Sequence, residues 1–98
     1  MKNEANIEVI ITTIENKYLS ELRTIQSNTK LNKDLKKVFE REKFDAMISE
    51  LEYWKNTLEL SEENRNTITN AIIAMKRLKA ARMENYAKTP KEQAQLGE

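Results

Sequence analysis

From Phe44 onward the apolar positions fall at intervals of three and four: Phe44, Met47, Ile48, Leu51, Trp54 and Leu58. That spacing gathers them on one face of a helix. Beyond a break at Leu60-Ser61-Glu62, the residues Ile68, Ala71, Ile72, Met75 and Leu78 repeat the pattern. Ser61 is placed to cap the second of these helices, because its hydroxyl can accept from a free backbone N–H of the first turn. Glu62 and Glu63 put negative charge at the positive end of the same helix's dipole. Asn64 stands where a full capping box has Glu or Gln, so the box is partial. So short a connection predicts antiparallel neighbours. Leu58 should then face Ile68, Leu51 should face Met75, and Ile48 should lie near Leu78.

Upstream, Ile7, Ile10, Ile11, Ile14, Tyr18, Leu22 and Ile25 form another stripe at helical spacing. They predict a first helix from about Glu4 to Gln26, with Asn3 as its cap, Val9 on the opposite side and Leu19 on a flank. Ser27-Asn28-Thr29 reads as a turn, since each of these side chains can bond its own backbone and stop a helix. Asn32 or Thr29 would cap the next helix, expected from near Lys33 to near Glu59.

This middle helix carries two apolar stripes. Leu31, Leu35, Val38 and Phe39 open one that Ala46, Tyr53 and Leu60 continue, and at about 100° per residue it lies nearly opposite the Phe44–Leu58 stripe. The segment Glu40-Arg41-Glu42-Lys43 holds no Gly, Pro or Ser that would break the rod. A continuous helix is therefore expected, with the third helix on one side and the first helix or another subunit on the other. The third helix should run from about Glu62 to Tyr86 or Ala87. Thr89-Pro90-Lys91-Glu92 then carries the signals of a new helix start, with too little chain behind it for a stable helix.

The expected architecture is an all-α, three-helix bundle built on a long antiparallel helical hairpin and self-associating. The bundle domain would take residues 1–88, leaving 89–98 as a C-terminal tail or short helix. A length of 98 residues suits one domain with a modest core. One Gly and one Pro argue against sheet-rich folds, which need many turns.

Composition narrows the chemistry more than it narrows the fold. Cysteine and histidine are both absent. That excludes disulfides, thiolate metal sites, and the Ser-His-Asp and Cys-His nucleophilic systems. There is no Gly-rich phosphate loop, no zinc spacing and no Glu-x-x-His pair, so no metal and no cofactor is expected. Neighbouring carboxylates such as Glu50 and Glu52 point about 200° apart on a helix and read as solvated charge. The expectation is a protein without enzymatic activity. No apolar run approaches the roughly 20 residues of a membrane span, and the start Met1-Lys2-Asn3-Glu4 is unlike a secretory signal. A cytoplasmic protein is expected on those grounds. Frequent Lys, Asn, Ile and Glu point to an AT-rich genome, such as that of a Gram-positive bacterium or one of its phages.

The net charge of +1 is unevenly spread. Lys30 to Lys43 carries a net +3, Phe44 to Asn64 a net −5, and Lys76 to Lys88 a net +4. The hairpin turn is acidic and its open end basic. Lys79 and Arg82 interrupt the apolar seam of the third helix, and Glu40 projects along the facing seam, where antiparallel register brings it towards Arg82 or Tyr86. A structural ion pair is the favoured reading of that group.

Two kinds of candidate site follow. Leu35, Phe39 and Tyr53, on the second stripe of the middle helix, form a partner-binding set, with Tyr53 as the anchor because aromatics dominate binding hot spots. Lys76, Lys79, Arg82 and Tyr86 form an anion-binding set able to meet phosphates. Lys76 and Arg77 point about 100° apart, and a basic helix C-terminus is favourable through the dipole alone. The function expected is therefore a small non-enzymatic helical protein that self-associates and binds another protein, as a regulator or inhibitor encoded by a phage or mobile element. One alternative is a binder of nucleic acid or of a small anionic nucleotide through the third helix. Another is a structural coiled-coil subunit of a larger assembly.

Overall fold

The computed structural model describes residues 7–87, and they form three α-helices with no strand among them. The N-terminal cap at Asn3 and the helix start at Thr89-Pro90 lie outside the described residues. Helix α1 spans Ile7–Ser27, α2 spans Lys33–Thr57 and α3 spans Glu62–Ala87.

The starts of α2 and α3 each have a local cause. Asn32, in extended backbone conformation, accepts from the Leu35 N–H and so caps α2. At the head of α3 the Ser61 hydroxyl accepts from the Asn64 N–H at 3.2 Å, while the Ser61 carbonyl takes the Arg65 N–H at 2.9 Å. The turn between α1 and α2 is shaped by Asn28. Its side chain accepts from the Lys30 N–H at 2.8 Å and its carbonyl from the Leu31 N–H at 3.3 Å. No described residue has positive φ, so neither connection needs a glycine.

The core forms where the three apolar faces converge. Ile7, Ile11, Ile14 and Leu22 of α1 meet Phe44, Met47, Ile48 and Leu51 of α2 and Ile68 and Ile72 of α3. Trp54, Leu58, Ala71 and Met75 pack around this nucleus partly buried. α1 lies mainly on α2 and touches α3 more sparingly. Between α2 and α3 the ion pairs run in opposite order along the two helices: Glu40 with Arg82, Asp45 with Lys79, and Glu52 with Lys76. Polar contacts tie α1 to α2 as well. Lys43 pairs with Glu21 at 2.9 Å, and the Tyr18 hydroxyl donates to Glu50 at 2.8 Å.

Ile48 is buried, whereas Leu78, expected near it, is 40% exposed. Ile48 lines one groove with Lys79, Ala80 and Met83, whereas Leu78 lines another with Leu19, Leu22 and Phe44. Counting round α3 explains it: Leu78 sits about 80° from Ile68, while Met75, Lys79, Arg82 and Tyr86 stay within about 40°. The inner seam of α3 thus passes from apolar to polar along its length, and Leu78 stands on the flank.

α2 is unbroken through Glu40–Lys43. Its inner stripe lies in the core and its outer stripe does not. Among the described residues, no helix is long and apolar enough to cross a membrane.

Candidate functional site

Two places on the bundle hold chemistry that packing alone does not require. The first is the outward face of α2. Leu35, Phe39, Glu42, Ala46, Ser49 and Tyr53 are all exposed, with Leu35 43%, Phe39 36% and Tyr53 59% accessible. The helix phase that buries Phe44, Met47 and Leu51 turns these six residues to the opposite side. α1 does not reach round to cover them, because its own apolar residues are used against the inner stripe. Its outward positions are Glu8, Val9, Thr12, Thr13 and Asn16, a polar surface apart from Val9. Leu35 and Tyr53 share one azimuth and stand about 27 Å apart along the axis. The Tyr53 ring meets the half-buried Trp54 ring edge-on, with centroids 5.2 Å apart and planes at 80°. That contact steadies Tyr53 while leaving its outer edge in water.

The second place is the open end of the bundle. Glu40 is fully buried, the only charged side chain among the described residues to be so. Its two carboxylate oxygens accept two parallel bonds from Arg82, at 3.0 Å from Nε and 2.9 Å from an Nη. The Tyr86 hydroxyl donates to the same carboxylate, and the Gln26 side chain of α1 lies near enough to favour its charged form. The Arg82 guanidinium also lies 5.7 Å from the centre of the Tyr86 ring. Burial pushes the Glu40 carboxyl upward, but the bonds from Arg82 and Tyr86 and the adjacent positive charge outweigh it and hold the carboxyl below its ordinary range. Arg82 is raised, first by its bond to Glu40 and against the effect of burial, while Tyr86 is raised by burial and by its bond to Glu40. One carboxylate thus ties α2 to two side chains of α3.

The structure brings together two of the four residues of the anion-binding set, Arg82 and Tyr86, on one carboxylate, and pairs all four with carboxylates of the same chain. Lys79 pairs with Asp45, Arg82 and Tyr86 with Glu40, and Lys76 with Glu52 at 3.7 Å. Arg82 presents its planar fork to Glu40 and keeps about a third of its side-chain surface, 33%, in solvent. An open groove of about 460 Å³ runs beside Lys76 and Lys79, floored by Ile48, Ala80 and Met83. A smaller one of about 150 Å³ lies where α1 and α3 flank Phe44, with Arg23 and Arg82 at its rim. Among the described residues, no group of acidic side chains is arranged to hold a metal ion.

The residues of the partner-binding set are placed together on one surface, two of them a turn apart and Tyr53 beyond. What spacing did not foresee is the way α1 is fastened. Tyr18 to Glu50, Lys43 to Glu21, and Lys36 to the Gln26 carbonyl at 2.9 Å all depend on how α1 lies across α2. No single-helix pattern carries that information. No protein-family model, curated protein or solved structure matches the chain.

Proposed function

We propose that this chain is a non-enzymatic helical binding protein that docks on another polypeptide through the outward face of α2, acting as a regulator or inhibitor. Self-association through the same face belongs to this reading. Within the fold we read α2 and α3 as a long antiparallel hairpin, because their ion pairs run in opposite order. The observation that carries the proposal is the exposure of Leu35, Phe39 and Tyr53 on one side of an unbroken helix whose other side is fully used. Large apolar side chains left in water on one line are the form in which a helix offers itself to a groove. An aromatic anchor at one end supplies contact area at small entropic cost.

The reading as a nucleic-acid or nucleotide binder draws less support. Its cations are already paired within the chain, so a phosphate would have to displace Glu40, Asp45 or Glu52. The exposed residues of α2 give the direct test. Tyr53→Ala and Phe39→Ala should leave the circular dichroism spectrum unchanged and alter stability within about 0.5 kcal/mol, as surface substitutions do. Both should abolish capture of the physiological partner from its host in tagged pull-downs. Retention of the same partner by both variants would refute the docking face.

A further inference from the structure

We propose that one polypeptide which covers the outward face of α2 is a second copy of this chain, lying antiparallel about a two-fold axis near the middle of the helix. This rests on the docking reading above and names the occupant. Three features of the face point to it.

The first is spacing. Leu35, Phe39, Glu42, Ala46, Ser49 and Tyr53 follow one another by four, three, four, three and four residues. That alternation is the spacing of a two-helix coiled-coil seam. Apolar side chains stand at four of its six positions and the polar Glu42 and Ser49 at the other two, and all six residues are exposed.

The second is shape. The large residues sit at the ends of the seam, Leu35 and Phe39 at one and Tyr53 at the other, and the small Ala46 and Ser49 lie between. Reversed upon itself, the seam sets Tyr53 of each copy over Leu35 and Phe39 of the other. Ala46 then faces Glu42 of the other copy, and the small side chain leaves room for that carboxylate to reach solvent. Two copies thus complete each other with the same patch, as a two-fold interface requires.

The third is charge. Along α2 itself, Lys33 to Lys43 carries a net +2 and Phe44 to Thr57 a net −2. Parallel copies would set like against like along the full seam. Antiparallel copies set the basic half of each against the acidic half of the other, and oppose the two helix dipoles. Lys43 and Asp45 approach their own equivalents near the axis. Each is already neutralised inside its own copy, Lys43 by Glu21 and Asp45 by Lys79.

A seam about 27 Å long falls at the small end of specific interfaces, so a dimer that forms in the micromolar range is expected. Sedimentation of the full chain should show the mass rising from one copy towards two on concentration. Tyr53→Asp should move that midpoint at least tenfold higher without loss of helix. The chain has no cysteine, so Leu35→Cys and Tyr53→Cys each introduce a single exposed thiol. Under a mild oxidant, the mixture of the two variants should give disulfide-linked dimers several-fold more readily than either alone. Efficient linking of Leu35→Cys to itself would overturn the antiparallel arrangement. A chain that stays monomeric into the millimolar range would overturn the second copy as occupant. If its Tyr53→Ala variant still lost the partner protein, the docking reading would stand, and if that variant kept the partner, both would fall.

Discussion

Glu40 shows how a single side chain can be costly and necessary together. A carboxylate with no solvent contact is tolerated only because Arg82 and Tyr86 satisfy it. The two ends of the Glu40–Arg82 pair should therefore respond unequally to deletion. Arg82→Ala strands a buried charge and should cost about 3–5 kcal/mol in denaturant unfolding. Glu40→Gln leaves Arg82 with access to water and should cost less. Replacing both by Met should recover most of the loss, because two apolar side chains of similar length need no partners. A double variant no more stable than Arg82→Ala alone would show that the cluster does more than satisfy itself.

The same carboxyl sets a pH dependence. Its folded pKa lies below its unfolded one, so its contribution to stability is whole above about pH 4.3 and fades as pH falls through the folded value. Thermal unfolding of the wild type and of Glu40→Gln should differ most near neutrality, and the gap should narrow on acidification below about pH 4. A constant gap across that window would mean that Glu40 does not titrate in linkage with folding.

At the scale of the element, the starts of α2 and α3 each depend on one side chain. Asn32→Ala and Ser61→Ala should each remove about 1 kcal/mol, read as a shift of the denaturation midpoint with an unchanged slope. These caps were legible in the sequence, as were the continuity of α2 and the meeting of Glu40 with Arg82 and Tyr86. A short connection fixes register, and from Leu60-Ser61-Glu62 one can count outward along both helices. The docking of α1 was not legible in the same way. Its turn of Asn28 to Asn32 leaves more freedom, and the pairs of Tyr18 with Glu50 and Lys43 with Glu21 are set by crossing angle rather than by spacing. Leu78 shows a second limit. An apolar stripe locates a helix face only to within a ridge, and on α3 the ridge that turns inward carries Lys79 and Arg82 in place of Leu78.

For the molecule as a whole, most contacts join helices that are neighbours in the chain, and α1 meets α3 only sparingly. Such local connectivity favours fast folding through a simple barrier. If the face of α2 pairs as proposed, stability is linked to concentration. The melting temperature should rise with each tenfold increase in protein, and Tyr53→Asp should abolish the rise. An invariant melting temperature in the wild type would argue that the folded unit stands alone.

The edge-on meeting of Tyr53 with Trp54 carries a practical corollary. Trp54 is the sole indole in the chain, half in the core and one residue from the exposed anchor. Its emission should shift to the blue when anything shields that edge from water, whatever the visitor is. The molecule therefore brings its own lamp to the surface in question, and occupancy can be followed in a cuvette without attaching a dye.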